Sequence, residues 1–298
     1  MAKAIFNRKR KEKIIEWSLT LSGLITILTT VAIIWVLFSE SFAFFQEVSI
    51  WSFLTDTEWT PLFTNKHYGI LPLLSGTFLT TFIAVLTAAP LGLIIAIYLS
   101  EYAPKGFRKG IKPALELLAA VPTVVYGFFA LTVVTPFLQS FIPGVDSFNA
   151  LSAGLVMGIM IIPMISSLSE DALYAVPKSL REASYGMGAT KFQTVFKVTI
   201  PAASSGIIVS IILAIARAVG ETMVVAIAAG QQPTLTLDPR KSIETITAYI
   251  VQVSLGDVQH GSVEYRTIFA AGITLFIFTF ALNTLGYRIK KRYQEKYA

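Results

Sequence analysis

Two ionisable side chains, Arg217 and Glu221, stand in an otherwise apolar run that reads Ala214-Ile215-Ala216-Arg217-Ala218-Val219-Gly220-Glu221-Thr222-Met223. A spacing of four residues sets them one turn apart on the same face of a helix. Two readings are open. In one, the charges neutralise each other as a structural pair. In the other, Arg217 offers planar, permanently charged donors to a tetrahedral oxyanion. Glu221 then balances the cation when no anion is present, or accepts a hydrogen bond from a protonated oxygen of the anion. Hydrogen phosphate carries such a proton, whereas sulfate would be repelled unless Glu221 were itself protonated.

The element that holds this pair belongs to a chain for which water is not the main solvent. Of its 298 residues 54% are hydrophobic and 14% charged, with a mean hydropathy of +0.66; a soluble domain carries roughly a quarter charged residues. Spanning about 30 Å of hydrocarbon takes about 20 apolar residues as helix. Six runs qualify, Trp17 to Phe38, Ile70 to Ser100, Pro113 to Gln139, Ala150 to Leu168, Ser204 to Gly230 and Thr267 to Tyr287, so the expected fold is all-α and polytopic. The first run is too long for a signal-peptide core and no small-x-small cleavage site follows it, which makes it a retained anchor. Pro72, Pro90, Pro122, Pro136 and Pro163 predict kinked helices whose freed carbonyls find partners in neighbouring helices or hydroxyls. Gly154 and Gly158 form a GxxxG that either brings two helices close or is coincidence in so Gly- and Ala-rich a chain.

Orientation follows from Lys and Arg in alternate connections. Six precede the first run, four lie at 105–112, four at 178–197 and five after Tyr287, against Lys66, Arg240, Lys241 and Arg266 in the other set. Both termini are therefore expected in the cytoplasm, with a basic segment at 1–16 and a basic tail at 288–298. Arg217 then lies roughly 20 Å in from the cytoplasmic end of its run near Ser204, well inside the hydrocarbon. A charge there costs several kcal/mol, so it faces a bundle interior or a water path.

Other chemistries are excluded by the same residues. There is no Cys, and His67 and His260 stand far apart in polar stretches, so no metal site, cofactor or catalytic group is expected. The net charge of +6 comes from bases flanking apolar runs, which speaks against nucleic acid. The outer connection 39–69 mixes Phe42, Phe44, Phe45, Trp51, Phe53 and Trp59 with four acids, which predicts either an amphipathic segment at the headgroup boundary or a plain aromatic belt. The last outer loop, 231–266, is polar and long enough to dock a soluble partner.

The inner connection from Glu170 to Ser205 carries the most specific pattern. It reads Leu180-Arg181-Glu182-Ala183-Ser184-Tyr185-Gly186-Met187-Gly188-Ala189-Thr190, then Val198-Thr199-Ile200-Pro201. Two short helices joined at Gly188 are predicted, with Pro201 opening the next one. This segment resembles the EAA loop of binding-protein-dependent ABC importers, whose pattern is Glu-Ala-Ala, three residues, Gly, nine residues, Ile-x-Leu-Pro. Glu182, Ala183, Gly188 and Pro201 match in register; Ser184, Val198 and Ile200 are similar-sized departures. The resemblance implies a type I (MetI-like) importer permease core over 70–287, with the loop at 170–203 riding in a groove of an ATP-binding subunit. The chain has no Walker A loop, so hydrolysis is expected on a separate subunit and the chain itself is not an enzyme.

Three further stretches extend the likeness: Leu117-Leu118-Ala119-Ala120-Val121-Pro122-Thr123-Val124-Val125-Tyr126-Gly127, Tyr98-Leu99-Ser100-Glu101-Tyr102-Ala103-Pro104, and the run around Arg217. Together they look like the permeases of the phosphate-specific (Pst) importers, the PstC type more than its PstA partner. What the resemblance implies is a heterodimer with a PstA-like second permease, a dimer of ATP-binding subunits and an extracytoplasmic phosphate-binding protein, in a bacterial or archaeal cytoplasmic membrane. The path would be lined by Arg217, Glu221, Thr222, Tyr126, Thr123 and Pro122, and transport would run by alternating access. An importer for sulfate, molybdate or phosphonate would share topology and loop. A secondary transporter would need no ATPase, and the matched loop and lack of an inverted repeat argue against it.

Overall fold

The computed structural model describes residues 2–294, with side chains over 12–289 and at Lys291. The basic positions Lys3, Arg8, Lys9, Arg10 and Lys11 as side chains, and the tail beyond Gln294, lie outside the described residues. The described residues are mostly helical, with two isolated β-bridges among them, Trp59 with Tyr68 and Gly230 with Ile243. Among the described residues, six helices are long and apolar enough to cross a membrane: Glu12–Glu47, Leu71–Tyr102, Thr123–Phe141, Ala150–Tyr174, Lys191–Val219 and Val263–Ile289.

The boundaries differ from the sequence reading in several places. α1 (Ala2–Glu47) does not stop near Phe38, and α2 (Ile50–Thr55) follows at once. The aromatics of this outer segment divide: Phe44, Phe53 and Trp59 are buried against Ile70, Leu73, Ile246 and Tyr249, while Phe42 and Trp51 stay exposed. A core of edge-to-face rings results, rather than a uniform belt. The second span is α3 (Leu71–Ile97), which runs through Pro90 and ends in a π turn, Tyr98–Tyr102.

The third span begins at Thr123, not Pro113. α4 (Lys105–Ala120) is a separate amphipathic helix, broken from α5 (Thr123–Phe129) by Val121 and Pro122 in extended conformation, because the residue before a proline is driven out of the helical region. A π turn at Ala130–Val134 then leads into α6 (Thr135–Phe141). The fourth span, α7 (Ala150–Tyr174), is capped by the Asn149 side chain and runs past Leu168. After α8 (Lys178–Gly186) and α9 (Lys191–Thr194), a π turn at Val195–Thr199 joins α10 (Ile200–Val219) without a break, so Pro201 sits inside the fifth span's first turns instead of opening it. That span stops at Val219; α11 (Met223–Ala228) is a separate helix, followed by α12 (Ile246–Leu255) and α13 (Val263–Gln294).

α3 and α7 form the centre, and the GxxxG is their contact. A Cβ on Gly154 would stand 2.7 Å from the Ile83 Cβ, and one on Gly158 would stand 3.0 Å from the Ala84 carbonyl oxygen. Only hydrogen fits at these crossings. Gly158→Val is expected to destabilise the protein by about 1–3 kcal/mol through overpacking. A lower thermal midpoint in detergent would show it, and an unchanged midpoint would contradict this account of the packing.

Candidate functional site

α10 is fixed in depth by its antiparallel contact with α7. Gly206 presses on Ala172, and the Ser210 and Ser169 hydroxyls share a 2.7 Å hydrogen bond. Arg217 lies eleven residues beyond Gly206, about 17 Å along the helix, while α7 is about 37 Å long. The guanidinium is therefore near the midpoint of the bundle. Its side chain is exposed in this chain and makes no hydrogen bond or ion pair among the described residues.

Glu221 does not pair with it. The four-residue rule holds only within a continuous helix, and α10 ends at Val219, with Gly220 outside the helical region and Thr222 leading into α11. Glu221 is 5% exposed, and its Oε1 accepts from the backbone N–H of Met223 at 3.2 Å and Val224 at 3.4 Å. It caps α11, satisfying N–H groups that have no water at this depth. The Glu221 carbonyl accepts from the Thr247 hydroxyl at 2.6 Å. The second carboxylate oxygen makes no hydrogen bond among the described residues. The helix break thus leaves no Arg217–Glu221 pair among the described residues, either as a structural pair or as a balance for the cation when no anion is present.

The remaining expected path residues gather on α5 and α11, which pack closely where Gly127 meets Ile227. Pro122 is exposed at the break, Thr123 opens α5 and Thr222 is half-buried before α11. Tyr126 differs from expectation. It is buried, and its hydroxyl donates to the Leu118 carbonyl at 2.7 Å, so it braces the α4–α5 elbow instead of facing open space.

Sequence reasoning missed Glu244. It is 1% exposed, its Oε1 has no hydrogen-bond partner, and its carbonyl oxygen lies where a Cβ on Gly76 of α3 would be 2.2 Å away. Its neighbours tie four elements together: Ile243 N–H donates to Ala229, Ile246 N–H to the Thr77 hydroxyl, and Thr247 reaches Glu221. No spacing rule predicts it, because its burial comes from the outer loop folding back over α3. Burial raises its pKa to about 8. The folded state then keeps a proton that the unfolded state releases near the ordinary value of 4.5. Stability is expected to fall as pH rises from about 4.5 to about 8, by up to about 1.4 kcal/mol per unit from this group, and to level off above. Glu244→Gln removes that dependence, so its thermal midpoint should match the parent at pH 5 and exceed it at pH 8. Parallel pH profiles would refute the assignment.

At the end of the bundle where α7 stops, α8 stands off with no buried residue. Glu182 and Ala183 are exposed on it, and just beyond it Met187 is 89% exposed and Gly188 is exposed. Gly188 turns the chain at φ +82°, a conformation that suits glycine. Thr190 then caps α9 in a reciprocal box with Gln193, and the Ser184 and Thr194 hydroxyls meet at 2.9 Å. Ile200 and Pro201 lie at the start of α10, at a distance along the chain from this knob. α4 is fastened to α7 nearby: Arg108 pairs at 2.5 Å with Glu170, which is 1% exposed, and Lys112 reaches Asp171 at 3.2 Å.

The chain matches the family model described as "Binding-protein-dependent transport system inner membrane component" over residues 88–297. Among curated relatives, it is 40% identical over 233 residues to the "Probable ABC transporter permease protein YqgH" of Bacillus subtilis, covering 78% of this chain and 75% of that one. It is 35% identical over 254 residues to the "Phosphate transport system permease protein PstC" of Mesorhizobium japonicum, covering 79% and 76%. Solved structures of similar fold include a bacterial alginate ABC transporter in complex with its alginate-bound periplasmic protein, at TM-score 0.61 and 17% identity over 93% of this chain and 94% of that one. Another is the MetNI methionine ABC transporter, at TM-score 0.57 and 19% identity over 74% and 95%.

Proposed function

The chain belongs to the binding-protein-dependent transport system inner membrane components, as a permease subunit of an ATP-binding-cassette importer, and on that premise we propose that its cargo is inorganic phosphate. It is a multi-pass transport component of a bacterial-type system, not an enzyme, and such permeases work with an ATPase and a substrate-binding protein. The reading of the cargo is carried by one observation: a guanidinium near mid-membrane that makes no ion pair among the described residues. An unpaired arginine at that depth is costly unless water or an anion meets it. The likeness to PstC permeases points to the same ion.

Arg217 takes two oxygens of hydrogen phosphate through its planar fork, and the free oxygen of Glu221 accepts the phosphate's proton-bearing hydroxyl. Thr222, Thr123 and Pro122 line the approach on α5 and α11. The second permease is PstA-like and closes the exposed side of α10, two ATP-binding subunits receive the knob formed by Glu182, Ala183, Ser184 and Gly188, and a phosphate-binding protein delivers cargo from outside. Ile200 and Pro201 carry the knob's motion into α10. Both termini are cytoplasmic, which the distribution of Lys and Arg supports. Closure of the ATPase dimer then opens the path outward by alternating access.

Uptake of labelled phosphate into vesicles holding the full complex tests this. Saturable, ATP-dependent uptake that excess sulfate leaves alone is the expected result. Competition by sulfate or molybdate would replace phosphate with a broader oxyanion cargo, and uptake without the ATPase would defeat the coupling assignment.

A further inference from the structure

α8 buries no side chain, so apolar packing does not set its orientation. Polar contacts do, and most converge on Arg181. Its Nη2 donates to Glu101 Oε1 at 2.9 Å and to the Leu173 carbonyl at 2.7 Å, and its Nη1 donates to the Val176 carbonyl at 3.2 Å. Both charged side chains are largely shielded, Arg181 at 16% and Glu101 at 8% exposure. The two carbonyls lie at the C-terminal end of α7, where backbone acceptors lack helical partners and a cation is favoured. Glu101 lies in the π turn that ends α3, and a π turn rotates the residues after it relative to a regular helix. A second tie reaches the same turn, because the Lys191 ammonium lies 4.7 Å above the Tyr102 ring.

One guanidinium therefore joins the knob to the ends of two spans, and those spans are locked together at Gly154 and Gly158. We propose that Arg181, with Glu101 as its counter-charge, is the positioning residue that makes the knob and the α3–α7 pair move as one body, so that ATPase motion reaches the path. This rests on the reading of the knob as the ATPase-coupling element. A lysine cannot replace it fully, since a point ammonium lacks the fork that serves three acceptors in fixed directions. Without the tie, the ATPase would move α8 while α3 and α7 lag.

The test measures phosphate uptake and ATP hydrolysis in the same proteoliposomes, with the assembled complex and phosphate-loaded binding protein. Arg181→Ala is expected to lower phosphate moved per ATP about tenfold, with Arg181→Lys and Glu101→Gln lying between it and the parent. A merely structural role would lower uptake and hydrolysis together and leave their ratio unchanged, and that result overturns the proposal. Co-purification of the ATPase with a Glu182→Arg, Met187→Asp variant separates the two levels. Undiminished capture there means the knob reading itself has failed, whereas lost capture with an unchanged ratio in Arg181→Ala removes only the positioning role.

Discussion

Arg217→Ala is expected to cut ATP-driven phosphate uptake at least about 100-fold while the complex still assembles. Charge-assisted hydrogen bonds contribute about 1.5–3 kcal/mol each, and a guanidinium supplies two to one oxyanion. Losing about 3 kcal/mol or more corresponds to a factor of about 100 or more. Assembly should survive, because the exposed side chain makes no hydrogen bond or ion pair among the described residues, and its removal takes a costly charge away from mid-membrane depth. Arg217→Lys keeps the charge and loses the fork, so a drop of about tenfold is expected. The measurement is initial uptake rate per amount of complex recovered in the membrane. Near-normal uptake by Arg217→Ala in intact complex would falsify the anion-binding role and assign the residue to contact with the second permease.

Glu221→Gln separates two duties that the structure places on one side chain. The amide oxygen of Gln can still accept from the N–H groups of Met223 and Val224, so the start of α11 holds and the complex should form normally. Where the second carboxylate oxygen stood, the amide presents a donor instead of an acceptor. A protonated phosphate oxygen loses its partner, and a fully ionised anion loses a repulsive one. Phosphate uptake is expected to fall about tenfold, the value of one charge-assisted hydrogen bond, and sulfate should begin to compete. Glu221→Ala is expected to be worse in a different way, because two N–H groups lose their cap and stability falls by about 1–2 kcal/mol. If Glu221→Gln moves phosphate at the parental rate and still ignores sulfate, the carboxylate is a helix cap and nothing more.

These two variants test residues that the sequence pointed to for a reason the fold then altered. Arg217 was legible as a charge in an apolar run, and its depth of roughly 20 Å agrees with the register that Gly206 and Ser210 set against α7. Its freedom from Glu221 was not legible, because helix periodicity assumes a helix that continues. Gly220 ends this one, and nothing in the local pattern says whether a glycine in an apolar helix will be tolerated or will break it. Tyr126 shows the reverse. Its hydroxyl looked available, but the elbow at Pro122 exposes the Leu118 carbonyl and the hydroxyl is consumed there.

The sequence by itself determined the solvent, the number of crossings, the alternation of basic connections and the exposed knob at Gly188. These are properties of contiguous residues: the length of an apolar run against the thickness of hydrocarbon, and the backbone freedom of one glycine. Only the tertiary structure decided which helices touch through Gly154 and Gly158, that Arg181 reaches Glu101 eighty residues away, and that Glu244 is buried with no hydrogen-bond partner on Oε1. Contacts of that kind depend on where each helix stops and how it is tilted against its neighbours, and that is settled by packing across the whole bundle.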